Sequence, residues 1–414
     1  MSAPAPVGAP QAGSSRAGGA AAGYFGYSRN FWLVFWATFA LNSSSNLFVL
    51  FPVFLVGLGA DAATIGAVIG TFSLAALAAR PGVGWVLDRN GHQRTAAWLL
   101  AVDVFVMVLY LTIHRLGWPI YGVRALHGLV EGTARVALFA MVYELLPEGR
   151  AGEGMAMFSL CGMGSAGLSP ILGEWVINRF GFVAFFATAI GLTVVAALAT
   201  RMLPDDREAV RESAAARTSD GGPRYAALLR DPRLAPLWVA TLLFSLSISV
   251  RVSFVAPYAY QRGVTQVGSY FAIYAAMAVV IRVAGSRLMD RVGLERMVAP
   301  SLAVLAAGLA MIAGAGMFGM LDFAAVVGGL GHGYLYPVLS ALVILRTHAN
   351  AAGRSASIYS SLYDLGAMAG PYALGAAANY LGYGPMFLVS GALALGGGVY
   401  FAAVEPAALG RRLA

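Results

Sequence analysis

The sequence predicts an all-α integral membrane protein with twelve transmembrane helices in two repeated halves of six. Three observations predict this class: a composition poor in charge, twelve apolar stretches of helical length, and a charged motif that occurs twice. Of the 414 residues, 59% are hydrophobic and 11% are charged, whereas soluble domains carry about 25% charged residues. So few charges exclude a soluble enzyme and, despite the net charge of +8, a nucleic-acid-binding protein.

The apolar stretches divide the chain near its middle. A membrane helix needs about 20 mostly apolar residues. The predicted spans are residues 31–55, 64–87, 95–114, 118–145, 154–177 and 182–202, then 234–259, 266–289, 296–318, 321–346, 355–378 and 384–404. We therefore expect a disordered cytoplasmic tail at 1–28, six-helix bundles at 29–202 and 233–405, a charged cytoplasmic loop at 203–232 and a cytoplasmic tail at 406–414.

The distribution of arginine predicts the orientation in the membrane. All 27 basic residues are arginine, and twelve alternating spans place most of them on one side. The loops of the other side carry only Arg115, Arg179 and Arg262. Because loops rich in basic residues stay in the cytoplasm, both termini and the central loop are predicted to be cytoplasmic.

A charged motif occurs once in each half. Its copies, with the spacing R-x7-D-R-x-G-x2-R, are Arg80, Asp88, Arg89, Gly91 and Arg94, then Arg282, Asp290, Arg291, Gly293 and Arg296. The copies are 202 residues apart, and Pro170 and Gly181 recur as Pro371 and Gly382 at a spacing of 201. The chain is therefore predicted to be a duplicated six-helix unit.

The acidic residue of each motif lies at the predicted membrane edge. A carboxylate there can bind an arginine or the positive N-terminus of a neighbouring helix in one conformation and release it in another. We interpret the two motifs as gates, formed by Asp88, Arg89, Gly91 and Arg94 and by Asp290, Arg291, Gly293 and Arg296. The alternative is that they only anchor the loops and orient insertion.

The first motif resembles the signature loop of the major facilitator superfamily, G-x-x-x-D-R-x-G-R-R. His92 and Gln93 replace the usual basic pair, and Arg94 is kept. The resemblance covers about residues 30–405 and implies the major facilitator fold, with two halves that rock around a site at the middle of the membrane. It also implies that Asp88 and Arg89 brace the cytoplasmic side when the site faces outward.

The fourth span carries charged residues on one helix face. Arg124, His127, Glu131 and Arg135 are spaced to share that face. Since charges in a bilayer are costly, the face is expected to line a wet cavity. The segment is similar to the superfamily's R-x-x-Q-G pattern, which is associated with proton coupling in antiporters. We interpret Glu131 and His127 as proton-coupling candidates; the alternative is a static Glu131–Arg135 pair.

The eleventh span supplies a third proton-coupling candidate, Asp364. It shares a helix face with Ser357, Ser360 and Ser361. A carboxyl group in the bilayer must be protonated or paired. If its protonation depends on the side of the membrane to which the cavity opens, proton binding can be coupled to transport. The alternative is a structural Asp364 paired with an arginine such as Arg251.

The fifth span matches the antiporter motif G-x-x-x-G-P-x-x-G-G only in part. Pro170 and Gly173 agree, whereas Ser165, Ser169 and Glu174 stand at glycine positions. This departure weakens the case for antiport. Close helix packing around small residues is the favoured interpretation of this segment.

Polar residues on five of the spans are candidates for the solute cavity. They are Asn42, Asn46, Arg124, Arg135, Ser247, Arg251, His332, Tyr336 and Ser360. Hydrogen bonding between helices is the structural alternative for these side chains. Asp103, in the third span, is expected to pair with an arginine.

The sequence contains no recognisable catalytic or metal-binding motif. Five histidines and one cysteine lack ligand spacing, and no nucleotide-binding loop is present. We therefore expect no enzyme activity, metal or cofactor. The expected partners are a small-molecule solute, protons and the lipid bilayer, with no nucleic acid, and the chain is expected to act as a monomer.

The predicted function is secondary transport in the bacterial inner membrane by alternating access. Proton-coupled efflux of a small organic solute is the leading hypothesis. The alternative is proton symport or uniport uptake of a sugar or organic anion, since Arg124, Arg135 and Arg251 would suit an anion. A membrane-embedded solute sensor is more remote, because the central loop is shorter than the roughly 50 residues that a signalling domain needs.

Overall fold

The described residues are almost entirely helical, and no strand occurs among them. The computed structural model describes residues 26–146, 151–216, 225–285, 291–314, 319–347 and 351–410. Most of the predicted N-terminal tail, part of the central loop and the last four residues lie outside these ranges. Predictions about those segments therefore stay predictions.

The N-terminal half starts at a capped helix. Ser28 accepts a hydrogen bond from the backbone nitrogen of Phe31 at 3.2 Å, which satisfies a free donor in the first turn. The helices are α1 (Arg29–Leu47), α2 (Phe51–Gly57), α3 (Ala62–Asn90), α4 (His92–Leu109), α5 (Trp118–Leu145) and α6 (Ala151–Arg201). A 3-10 turn joins α1 to α2, and α6 covers the fifth and sixth predicted spans with a break at Gly181.

The linker and the C-terminal half are also helical. Their helices are α7 (Arg207–Ala216), α8 (Tyr225–Leu229), α9 (Ala235–Gln261), α10 (Gly268–Ala284), α11 (Leu294–Ile312), α12 (Met320–Leu345), α13 (Ala352–Leu381) and α14 (Tyr383–Gly410). The segment expected as a loop at 203–232 thus contains two short helices. Helix α14 also continues past the expected end of the bundle at 405, as far as Gly410.

The helices have the length and composition of membrane spans. Nine segments within the described ranges are apolar and long enough to cross a bilayer, and one of them, residues 153–201, covers two predicted spans. Helix α10 is apolar but shorter, and α13 is long but carries serines and Asp364. The predicted all-α membrane fold is confirmed, whereas the number of twelve crossings stays a prediction.

The two halves meet along two equivalent pairs of helices. Helix α3 packs on α13, and α10 packs on α6, so each pair joins one half to the other. Gly66 of α3 lies against the backbone of Pro371, and its repeat-related residue Gly268 lies against the backbone of Ile171. A side chain at either glycine would collide with the opposite half. The duplication seen in the sequence thus produces two similar interfaces.

Candidate functional site

The polar face of α5 lies inside the N-terminal half. Glu131 is fully buried, and one carboxylate oxygen forms an ion pair with Arg135, one turn later. Its other oxygen lies 2.9 Å from Nε2 of His127, one turn earlier. The helix therefore holds a buried carboxylate between two nitrogen groups, as the four-residue spacing predicts.

Arg135 connects this buried pair to the space between the halves. Its side chain is 44% exposed, although its partner Glu131 is buried. Nη1 donates to Oδ1 of Asn42 at 2.9 Å, and Nη2 donates to Oγ of Ser45 at 3.0 Å, both on α1. A change in the charge of Glu131 would therefore act directly on a side chain at the central cavity.

His127 has a second polar contact on the other side of its ring. Nδ1 lies 3.0 Å from the hydroxyl of Tyr110, and Arg124 donates to the same hydroxyl at 3.3 Å. The Arg124 guanidinium also lies 4.7 Å from the ring centre of Phe72, in cation–π geometry. Arg124 is thus buried among aromatic rings inside the half in this conformation, and its contact with a solute stays a prediction.

Asp103 of α4 completes this group. It is fully buried, and Oδ1 lies 3.9 Å from Nε2 of His127. Neither of its carboxylate oxygens has a hydrogen-bond partner among the described residues. The arginine expected beside Asp103 is absent at ion-pair distance within the described chain, and His127 takes that place. We call Asp103, His127, Glu131 and Arg135 the N-half relay.

Two adjoining cavities lie between the halves, next to the N-half relay. The larger has a volume of about 320 Å³ and is lined by Arg80, Arg135 and Asp364, among others. The smaller, of about 170 Å³, is lined by side chains that include Arg251 and His332. Residues Ser73 and Ala367 line both, so the two cavities are adjacent, and we call them together the central cavity.

Asp364 forms an ion pair across the central cavity. Its partner is Arg80 of α3, in the opposite half, and both side chains are about one-third exposed. The pairing with Arg251 that the sequence left open is therefore not the one the structure contains. Arg80 belongs to the first charged motif, and no feature of that motif indicates that it reaches α13.

Arg251 lies at the other end of the central cavity. Its guanidinium carbon is 4.1 Å from the ring centre of Tyr274, whose hydroxyl lies 3.0 Å from Nδ1 of His332. No carboxylate pairs with Arg251 among the described residues, and its Nε has no hydrogen-bond partner there. The cavity therefore contains a cation that a solute anion could neutralise. We call Arg251, Tyr274 and His332 the C-half group.

Asn42, Asn46 and Ser247 of the first and seventh spans form hydrogen bonds within the bundle. Asn46 donates to Ser165 of α6 at 3.1 Å, and Asn42 holds Arg135. Ser247 is fully buried, and its carbonyl accepts from Ser390 of α14 at 2.8 Å. Ser247 lines neither part of the central cavity in this conformation, and its contact with a solute stays a prediction.

The remaining cavity candidates lie on α12 and α13. Tyr336 is 39% exposed, and its ring centre is 5.5 Å from that of Tyr363, which lines the central cavity. Ser360 is half-buried on α13, one turn before Asp364. Both positions are consistent with contact with a solute and stay predictions.

The first charged motif is joined to the central linker. Gly91 ends α3 with a φ of 82°, a conformation that favours glycine. Asp206 of the linker accepts hydrogen bonds from the first backbone nitrogens of α4, including that of Gln93 at 3.1 Å. Partial burial raises the pKa of Asp206, but hydrogen bonds from His92 and Gln93 outweigh burial and lower the pKa overall.

The motif residues themselves are distributed over several surfaces. Asp88 has an interaction partner in the chain, and the Arg89 guanidinium lies 5.4 Å from the Trp85 ring centre. Arg94 is exposed on the outer face of α4. In the second motif, Gly293 has a φ of 88°, Arg291 and Arg296 are exposed, and Asp290 lies outside the described residues.

At the opposite end of the bundle, each interface is closed by a cap from the other half. We call this the Asp61 end and the motif end the Asp88 end. Asp61 caps α3 by accepting from the nitrogen of Thr64 at 2.8 Å. Asn379 of α13 donates to Asp61 at 2.6 Å and accepts from Ala63 at 3.1 Å. Hydrogen bonds from Thr64 and Asn379 hold the pKa of Asp61 below its usual value.

The second interface at the Asp61 end uses a carboxylate. Glu174 of α6 accepts from the backbone nitrogens of Val267 at 2.6 Å and Gly268 at 2.9 Å, at the start of α10. The residue is buried, and an anion is favoured at a helix N-terminus. Glu174, which departs from the glycine-rich motif, therefore joins the two halves.

One group of potential metal ligands occurs near the central linker, where the sequence predicts none. Nδ1 of His92 lies 3.3 Å from Glu144 and 3.2 Å from Asp206. These three ligand atoms all lie within 4.8 Å of one another. An ion pair of His92 with the two acids, together with the capping role of Asp206, accounts for this arrangement without a metal.

The family model of the Major Facilitator Superfamily matches residues 31–318 and 237–413. The chain belongs to the Major Facilitator Superfamily. Its similarity to curated members includes the staphylopine export protein of Staphylococcus aureus, 21% identical over 370 residues, which cover 86% of this chain and 90% of that protein. Multidrug resistance protein MdtG of Dickeya zeae is 26% identical over 340 residues, with 78% and 80% covered.

Solved transporters of the superfamily share this fold. A mutant of the nucleoside transporter NupG superposes with a TM-score of 0.79 at 15% identity, covering 91% of this chain and all of that one. A mutant of the peptide transporter POT, in complex with sulfate, gives 0.72 at 17% identity, with 93% and 96% covered. This superfamily member is a multi-pass membrane transporter with export-type relatives and is not an enzyme.

Proposed function

We propose that this transporter exports a small organic solute from the bacterial cytoplasm in exchange for protons. It would do so as a monomer in the inner membrane, with the Asp88 end, both termini and the linker in the cytoplasm. The relatives described as export and multidrug resistance proteins support the direction. The arginine-rich loops at the Asp88 end support the orientation.

The observation that carries the proposal is the contact between the buried relay and the cavity. Glu131 is buried, yet its partner Arg135 faces the central cavity. A proton on Glu131 would remove the ionic partner of Arg135 and would leave its guanidinium bonded only to Asn42 and Ser45. The uncompensated positive charge of Arg135 would then disfavour a cationic solute in the cavity, so proton binding and the binding of such a solute would oppose each other.

The neighbouring acid and histidine supply a place for the proton to be shared. Asp103 and Glu131 both approach Nε2 of His127, at 3.9 and 2.9 Å. Two carboxylates around one imidazole are not both stable as ions without a proton or cation between them. We propose that His127 distributes the coupling proton between these acids, and that Asp364, paired with Arg80, senses the state of the cavity.

A second candidate function is uptake of an organic anion. The observation that favours it is Arg251, which lines the cavity without a carboxylate partner among the described residues. An anionic group of a solute would pair with this guanidinium. The same observation is compatible with export of an anionic solute, so the direction must be measured.

Everted membrane vesicles containing the full chain test both functions. The vesicles are energised, the internal pH is followed with a dye, and organic acids, sugars, amino acids and cationic drugs are added in turn. We expect one class to release protons in the wild type. Glu131→Gln and Asp364→Asn should lose this release, whereas Glu208→Gln, an exposed linker carboxylate, should keep it.

Two results would decide against the leading proposal. Equilibration of a solute across the vesicle membrane without proton movement would show uniport, and proton uptake with solute in the opposite vesicle orientation would show symport. Proton release that survives in Glu131→Gln would exclude the N-half relay as the coupling site.

A further inference from the structure

We propose that the N-terminal half binds one anionic phospholipid on its outer surface, in a groove between α4 and the end of α6. This groove has a volume of about 590 Å³ and lies at the Asp88 end. Its lining includes Arg94 and Arg201 at the rim and Trp98, Val102 and Phe105 below it. We call it the α4–α6 groove.

Two arginines give the rim an uncompensated positive charge. Arg94 and Arg201 are exposed, and neither has an ion pair or hydrogen bond within the described ranges. The nearby acids Glu144 and Asp206 are engaged with His92, and Asp206 also caps α4. A phosphodiester would therefore find two guanidinium groups free to bind it, and arginine pairs with phosphate through two parallel hydrogen bonds.

The surface below the rim suits acyl chains. Trp98 is 69% exposed and Phe105 is 62% exposed, and they follow Arg94 at positions that share one face of α4. Tryptophan is typical of the boundary between lipid headgroups and hydrocarbon. Charge at the rim and exposed rings beneath it match the two parts of a phospholipid, whereas a soluble phosphate would use only the rim.

The floor of the α4–α6 groove is held in place. The side-chain nitrogen of Gln93 donates to the carbonyl of Thr200 at 3.2 Å, and this bond ties the start of α4 to the end of α6. Gln93 is buried, and both bonded residues adjoin an arginine of the rim. The two guanidinium groups therefore extend from helix ends that are fixed relative to each other.

The repeat provides a matched surface that lacks these features. Arg296 corresponds to Arg94, but Pro300 stands at the position of Trp98 and Ala307 at that of Phe105. At a spacing of 201, Ala402 replaces Arg201. The C-terminal half therefore keeps one arginine and loses the second cation and both large rings. Arg296→Gln is the control for removal of a single exposed arginine.

Native mass spectrometry of the purified full chain tests the proposal. Phosphatidylglycerol, phosphatidylethanolamine and glycerol phosphate are titrated separately onto the wild type, Arg94→Gln, Arg201→Gln, the double variant and Arg296→Gln. An arginine near a membrane surface contributes about 1 kcal/mol to the binding of anionic lipid, or about five-fold in affinity. We expect each groove variant to lose about five-fold for phosphatidylglycerol and the double variant about 25-fold.

The controls distinguish a phospholipid site from a site for any soluble anion. Wild type and Arg296→Gln should bind one phosphatidylglycerol equally well, and Trp98→Ala/Phe105→Ala should weaken it while both arginines remain. Equal binding of phosphatidylethanolamine, or a double variant that binds like wild type, would overturn the proposal. Glycerol phosphate binding as tightly as phosphatidylglycerol would also overturn it, because the acyl chains would then contribute nothing. Thermal melting checks that each variant is folded.

Discussion

Each half of the transporter contains a histidine whose Nδ1 lies 3.0 Å from a tyrosine hydroxyl, yet the two surroundings differ in charge. His127 lies beside Glu131 and Asp103, at 2.9 and 3.9 Å. The tyrosine beside His332 has the Arg251 guanidinium carbon 4.1 Å from its ring centre, and His332 has no carboxylate partner among the described residues. Acids therefore accompany the histidine of the repeated histidine-glycine pair in the N-terminal half, and none accompanies it in the described part of the C-terminal half.

This difference suggests a division of roles between the halves. Carboxylates around an imidazole can hold and pass a proton, whereas a guanidinium over an aromatic ring can hold an anion or remain stabilised without one. The N-half relay is suited to the proton and the C-half group to the solute. The following predictions test this division, beginning with the largest expected effect.

Glu131→Gln should produce the largest loss of solute-driven proton movement. Glutamine keeps the shape of the side chain but cannot carry the charge that pairs with Arg135, and a hydrogen bond to a charged group is worth about 1.5–3 kcal/mol. We expect solute-driven proton movement to disappear and the unfolding free energy to fall by about 2 kcal/mol. Vesicle dye assays and thermal melting measure these two effects. Proton movement at the wild-type rate in Glu131→Gln would show that Glu131 does not couple proton movement to solute movement.

Substitutions of the two histidines should have different effects on transport. His127→Asn removes the group between two acids, so the ratio of protons to solute should fall. His332→Asn leaves that ratio unchanged but should weaken solute binding several-fold, since it alters the surroundings of Arg251. Parallel flux measurements of proton and solute give both quantities. An equal proton-to-solute ratio in the two variants would contradict the proposed division of roles between the halves.

The Asp61 end allows a second comparison between the halves. Glu174→Gly restores the residue expected from the antiporter motif and removes two charge-assisted bonds to α10, each worth about 1.5–3 kcal/mol. Asn379→Ala removes one bond to the Asp61 carboxylate, worth about 1.5–3 kcal/mol, and one neutral bond from Ala63, worth about 0.5–1.5 kcal/mol. Spin-label distances across this end should show more opening in Glu174→Gly than in Asn379→Ala. The reverse order would show that the carboxylate cap does not dominate the closure.

Asp206→Asn should have the smallest effect, and that effect should depend on pH. Because the pKa of Asp206 in the folded protein is below its unfolded value of about 3.9, its charge stabilises the fold above that pH. This contribution is lost as the pH falls through the folded pKa. We expect Asp206→Asn to lower the unfolding free energy by about 1 kcal/mol at pH 7, and we expect this difference from wild type to shrink as the pH falls below about 3.9. Melting in detergent at several pH values measures it, and a constant difference would contradict the assignment.

The sequence predicted features that depend on local pattern. Hydropathy located the spans, and the repeat of Gly91 as Gly293 located two matching turns with positive φ. The face containing His127 and Glu131 followed from the period of one helix. Each of these properties belongs to a single segment, so an isolated sequence contains the information needed.

The sequence did not predict contacts between segments. Asp103 approaches His127 because of the rotation of α4 against α5, and hydropathy does not encode that rotation. Asp364 pairs with Arg80 because α13 crosses α3. Glu174, interpreted as a position of close packing, caps a helix of the other half. Its departure from the glycine-rich motif was the available signal, since a buried charge in a membrane helix requires a partner.

The caps at the Asp61 end also connect the conformational change to the activity of water. Backbone nitrogens at the starts of α3 and α10 are bonded to side chains of the opposite half. When the halves separate there, water must replace those acceptors, because unsatisfied buried donors are costly. Opening at the Asp61 end therefore takes up water. Large solutes that cannot enter the gap should favour the closed state, and the effect should grow with the volume of water that fills the gap. Such solutes thus shift this equilibrium through osmotic pressure, without binding to the protein.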